Sequence, residues 1–151
     1  MASRTIGVCI VLFLALGLSA GAAGFDYVGL RITVPLGSVP FLVGVDLGAR
    51  VPSGWAFATL FLDGTGRTLL LGTYEFKLAG GDGVGTSFVA LSAGIVHFDP
   101  RAVYPSPVFG GGLSYRFEVT KAVQAGLTGE ILYPLGLGPP FFTVQGGWSA
   151  P

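Results

Sequence analysis

Phe41-Leu-Val-Gly-Val-Asp-Leu-Gly-Ala-Arg50 (FLVGVDLGAR) is the stretch that decides the fold. Its odd positions are Phe41, Val43, Val45, Leu47 and Ala49; its even positions are Leu42, Gly44, Asp46, Gly48 and Arg50. An extended chain sends successive side chains to opposite faces. The stretch is therefore a strand with one apolar face and one face of glycine and charge.

The same alternation recurs down the chain and predicts eight strands, near residues 26–36, 41–50, 55–62, 67–78, 86–98, 108–120, 123–133 and 141–149. In the first, Val28, Leu30, Ile32 and Val34 oppose Tyr27, Gly29, Arg31 and Thr33. In the sixth, Gly110, Gly112, Ser114, Arg116 and Glu118 alternate with Gly111, Leu113, Tyr115, Phe117 and Val119. The third is ambiguous, since Trp55, Phe57, Thr59 and Phe61 oppose Ala56, Ala58, Leu60 and Leu62 and both faces are apolar. Asp63-Gly64-Thr65-Gly66 is a strong turn signal. Three prolines between Asp99 and Pro107 exclude a central strand there and mark the longest connection. The glycine-rich run Ala79–Gly85 (AGGDGVG) lacks the lysine and the strand-to-helix setting of a phosphate loop and reads as a connection. No segment carries a capped 3.6-residue pattern, so no helix is expected after the N-terminal segment.

Composition says which solvent the strands meet. Only 11% of the 151 residues are charged, against about 25% in ordinary soluble domains, and mean hydropathy is +0.72. Net charge is zero, which gives no footprint for nucleic acid. Past the N-terminus no apolar run reaches the roughly 20 residues of a membrane helix. The remaining way to cross a bilayer is a closed β-barrel.

Residues 1–23 carry the marks of a cleavable signal peptide: Arg4, an apolar core from Ile6 to Leu18, and Ala20-Gly21-Ala22 as a small-residue cleavage pattern. The domain proper is then 24–151. The single cysteine, Cys9, lies in the apolar core. Cleavage leaves no disulfide, no thiolate and no cysteine metal site, and no cofactor or metal is expected.

Direction follows from where charge and glycine travel together. Arg31, Asp46, Arg50, Arg116 and Glu118 share faces with Gly29, Gly44, Gly48, Gly110 and Gly112. Small residues suit the interior of a narrow barrel, where eight strands leave room only for side chains. The strand-borne charges also balance. Arg31, Arg50, Lys77 and Arg116 are matched by Asp46, Glu75, Glu118 and Glu130, so an interior network of these eight can pair, as buried charge requires. The opposite face carries almost no charge, as lipid contact demands: a lysine or arginine there costs about 2–4 kcal/mol at the bilayer midplane. Tyr27, Trp55, Tyr74, Tyr115, Tyr133 and Trp148 are candidates for interfacial aromatic girdles.

This pattern resembles the small eight-stranded outer-membrane barrels of the OmpA, OmpX and OmpW kind. The resemblance runs from about Gly24 to the end and is one of architecture, carried by stretches such as VDLGAR and GLSYRFEV. It implies an all-β, antiparallel, up-and-down transmembrane barrel in the outer membrane. The expected partners are outer-membrane lipid and the barrel assembly machinery, and the expected state is a monomer. It also implies termini in the periplasm, connections near Gly37, Asp63, Asp99 and Leu135 facing outward, and those near Pro52, Gly81 and Lys121 facing inward. The chain departs from that architecture at its last strand, where Ser149-Ala150-Pro151 follow Trp148, so the terminal aromatic that assembly of such barrels reads is displaced or absent.

The expected role is structural and non-enzymatic, with a charged interior plugged by side chains. Two alternatives stand beside it. One is a secreted soluble β-barrel that binds a ligand or partner. The other is a lipid A-modifying barrel enzyme built on the sole histidine, His97, beside Asp99. The deacylase pattern places a serine two residues after its histidine, where this chain has Asp99.

Overall fold

A computed structural model of the chain describes residues 24–34, 41–62, 67–79, 85–97, 101, 103–121, 123–136 and 140–149. The predicted signal peptide, Asp63, Asp82 and Asp99 lie outside the described residues. Eight strands run in chain order: β1 Tyr27–Val34, β2 Val43–Val51, β3 Gly54–Leu62, β4 Thr68–Ala79, β5 Gly85–His97, β6 Ser106–Thr120, β7 Val123–Pro134 and β8 Phe141–Ser149. Each pairs antiparallel with the next, and β8 returns to β1, so the sheet closes into a barrel without an edge. Among the described residues there is no helix.

The strands differ in length, from 8 residues in β1 to 15 in β6, around the 9–11 or so that a tilted membrane strand needs. Irregularities in the ladder fall between Lys77 and Ala79 and between Glu118 and Thr120, both near the end where β1 begins and β8 finishes. We call this the terminal end. The opposite end, where β1, β3, β5 and β7 finish, is the loop end.

One sequence expectation fails at the loop end. Pro107 belongs to β6, paired with Ile95 of β5. Its carbonyl accepts a hydrogen bond from Leu135 N–H at 2.9 Å, just past the end of β7. In an antiparallel ladder the nitrogen and oxygen of one residue point the same way, so the missing N–H falls on this strand end and costs the β5 ladder nothing.

The alternation has the phase that the glycine-and-charge face implied. Arg31, Asp46, Glu75, Arg116 and Glu130 are buried, while Leu30, Leu60, Leu70, Leu91, Leu113 and Leu127 are exposed. Leu113 and Leu127 show 66% and 57% of their surface, the reverse of a soluble barrel, whose large aliphatics fill the inside. The narrow bore also explains several glycines. A Cβ on Gly48 would stand 2.5 Å from the Phe57 ring, and one on Gly112 1.8 Å from the carbonyl oxygen of Gly129 on the next strand. The first glycine makes room for an inward ring and the second for a close strand approach.

Candidate functional site

The lumen is the part of the molecule where polar chemistry concentrates, and it is built in three layers. At the loop end Leu42, Phe61, Leu69, Leu71, Val96, Val108, Leu132 and Phe141 form one apolar cluster, each at most 1% exposed. Each of β3 to β8 supplies a member, and Leu42 lies just ahead of β2. These buried side chains pack against one another inside the barrel wall.

The middle layer is ionic. Arg31 of β1 lies opposite Gly44 on one side and Gln145 on the other. Its guanidinium has space to fan out. Nε donates to Asp46 Oδ2 at 3.3 Å, Nη2 donates to Gln145 Oε1 at 3.2 Å, and Nη1 donates to Glu130. Each acid takes a second donor from a hydroxyl: Thr59 bonds to Asp46, and Ser92 to Glu130. Thr73 and Ser92 hydroxyls stand 2.6 Å apart and extend the layer across β4 and β5. Buried ions are tolerated only when paired and hydrogen-bonded in this way.

The third layer, toward the terminal end, is a cation in an aromatic cage. The Arg116 guanidinium carbon lies 4.8 Å from the ring centre of Tyr27, 4.7 Å from those of Trp55 and Phe57, and 5.9 Å from that of Phe88. Its Nε and Nη2 both donate to Glu75 Oε2, at 3.0 and 2.7 Å. Thr128 donates to Glu75 Oε1 at 2.9 Å. Gly126 provides the berth: a Cβ there would meet Arg116 Nη1 at 2.6 Å. A desolvated cation against ring faces gains about 2 kcal/mol or more.

Of the eight charged residues expected in the interior, five are placed there: Arg31, Asp46, Glu75, Arg116 and Glu130. Arg50, Lys77 and Glu118 are exposed. They keep the inward phase of their strands and stand beyond the last packed layer. Arg50 and Glu118 line a common hollow at the terminal rim with Lys121, Gln124 and Ser149, and the Arg50 guanidinium lies 5.4 Å over Trp55. Alternation reports the phase of a side chain; it does not report where along the strand the packed lumen stops.

Two candidates for the aromatic girdle also lie elsewhere. Tyr27 and Trp55 are 2% and 5% exposed and belong to the cage. Tyr115, Tyr133 and Trp148 are exposed on the outer wall, and Tyr74 packs there against Phe76 with ring centres 4.5 Å apart. The apolar layer and the cage were not anticipated as layers. The signal for them was the doubly apolar third strand, whose Trp55, Phe57 and Phe61 all point inward. His97 closes β5 opposite Thr68, at the loop end and partly buried.

No known family model matches the chain, and no curated protein matches its sequence. Solved structures do resemble it. The solution structure of outer membrane protein H (OprH) from P. aeruginosa in DHPC micelles aligns over 83% of this chain and 98% of its own, with a TM-score of 0.57 and 15% identity. The crystal structure of the N-terminal β-barrel domain of Pseudomonas aeruginosa OprF aligns over the same shares, with a TM-score of 0.44 and 17% identity. The chain thus has the closed eight-stranded barrel fold seen in OprH.

Proposed function

We propose that this chain is a small outer-membrane barrel of structural, non-enzymatic role whose lumen is sealed by its own side chains. In this reading residues 1–23 direct export, the barrel assembly machinery inserts the domain, and the monomer is the working unit. The observation that carries it is the inverted wall. Arg31, Asp46 and Glu75 are fully buried while aliphatic and aromatic side chains of every strand stand exposed. Water would penalise that surface, and acyl chains are the solvent that rewards it. The sealed lumen is supported by the stacking of an apolar layer, an ionic layer and a caged arginine along the bore. Eight strands leave no wider path. The non-enzymatic reading is supported by the bonding of the buried acids, each of which is engaged by an arginine and a hydroxyl.

Membrane fractionation with gel mobility before and after boiling tests the proposal. The chain is expected in the outer-membrane fraction, extractable only with detergent, with a mobility that changes on heating. Recovery from the periplasm without detergent would overturn it in favour of the soluble barrel. Purified barrel in planar bilayers is expected to give no conductance above background, and steady channels would contradict the seal. Lipid A is expected to keep its mass in cells that express the chain; a change lost in His97→Ala would establish the enzyme instead.

A further inference from the structure

The two ends of the outer wall are unequally furnished for a membrane interface. At the terminal end Tyr74, Tyr115 and Trp148 face outward, each an apolar ring with a polar tip of the kind that sits at headgroup level. At the loop end the outer wall of the described strands offers one tyrosine, Tyr133, and no tryptophan, with His97 ending β5 on the same face. The missing chemistry lies in the connection between β5 and β6. Val103 and Tyr104 are 82% and 80% exposed, the highest values among the large apolar side chains of the described residues. They stand directly ahead of β6, whose first outward strand residues are Pro107, paired with Ile95, and Phe109, paired with Tyr133. The base of the connection is held by the bond from Leu135 N–H to Pro107, and Ile95, Phe109, Tyr133 and Leu135 are all exposed. On β6 and β7 the outer wall is thus apolar up to the connection, while on β5 it ends in His97 beside Thr68. Arg101, two residues before Val103, is exposed as well.

We infer that this connection is a membrane-surface anchor: Val103 and Tyr104 rest in the headgroup region of the leaflet around the loop end, with Arg101 set toward the lipid phosphates. The inference rests on the outer-membrane reading and adds to it the partner of this connection. An apolar pair beside a cation is the composition that interfacial segments share, with the apolar part about 5–10 Å below the surface. A phosphate layer attracts an arginine at that depth. The connection is not needed as a lid, since Val96, Val108 and Phe141 are packed inside the barrel at this end.

Single-cysteine variants of the full chain in a Cys9→Ser background test this. Val103→Cys and Tyr104→Cys carry an environment-sensitive fluorophore in vesicles of phosphatidylcholine and phosphatidylglycerol. Leu113→Cys on the mid-wall and Ser53→Cys at the opposite turn serve as references. The expected result is a blue-shifted emission at 103 and 104 relative to 53, with stronger quenching by a headgroup nitroxide than by one deep in the acyl chains. Leu113→Cys is expected to show the opposite depth order. If 103 and 104 emit as 53 does while 113 is quenched at depth, the anchor is wrong and the membrane barrel stands. Such a result would leave the exposed pair to a protein partner in the aqueous phase. If 113 also emits as though in water, the membrane reading itself falls, and the anchor with it.

Discussion

The loop-end and terminal-end halves of the lumen solve the same packing problem with opposite chemistry. The loop end is packed mainly with aliphatic and phenyl groups. The terminal half is closed by Arg116, Glu75 and four aromatic rings, directly below the Arg31 centre. The apolar half needs no partner of fixed geometry, so it tolerates repacking at constant volume. The ionic half is tolerable only as a complete set, since each ion depends on a partner on another strand. It also leaves Tyr27 Oη, Thr143 Oγ1 and Gln145 Nε2 buried without a protein partner. The contrast locates vulnerability: loss of shape at one end, loss of charge balance at the other.

Arg31→Met should have the largest effect. It leaves Asp46 and Glu130 buried without their shared cation, at a cost of about 3–5 kcal/mol. Urea unfolding in lipid vesicles measures it. Adding Asp46→Asn and Glu130→Gln to the same variant should restore most of the loss. A single variant as stable as the parent would remove the ionic set from any structural role. Phe61→Ala at the apolar end should cost about 3–4 kcal/mol through the cavity it leaves. Here Phe61→Leu should recover most of the stability in the same assay, which no single substitution of Arg31 should do. If Phe61→Leu recovers nothing, the two halves do not differ in the way described.

Arg116→Lys keeps the charge and loses the planar face and the two-nitrogen contact to Glu75. A loss of about 1–2 kcal/mol is expected, with a changed near-ultraviolet circular dichroism signal from Trp55. An unchanged signal would mean that the cage does not order the tryptophan. Lys77→Gln at the exposed rim is the smallest change, expected within about 0.5 kcal/mol of the parent. A loss comparable to that of Arg31→Met would place Lys77 back among the interior charges.

Much of the fold was legible because alternation is local. β1, β2, β6, β7 and β8 each declare a polar face, and in each that face points inward. β3 hid its direction for a physical reason. It runs from the aromatic cage to the apolar layer, passing polar chemistry only at Thr59, so both of its faces read as apolar. The pairings were less legible still. Arg31 reaches Asp46 fifteen positions away and Glu130 ninety-nine positions away, and no spacing rule spans such separations. Asp46 and Arg50 look equivalent in FLVGVDLGAR, yet one is buried and the other lies on the rim.

By itself the sequence determined the number of strands, the phase of their alternation and the apolar character of the outer wall. Those properties follow from the period of an extended chain and from the near absence of charge on one of its faces. The tertiary structure alone decided which charges meet, which stand past the packed bore, and why Tyr27 and Trp55 turn inward around Arg116. Those outcomes depend on the stagger at which eight strands close on themselves, and stagger is a property of the ring that no single strand carries.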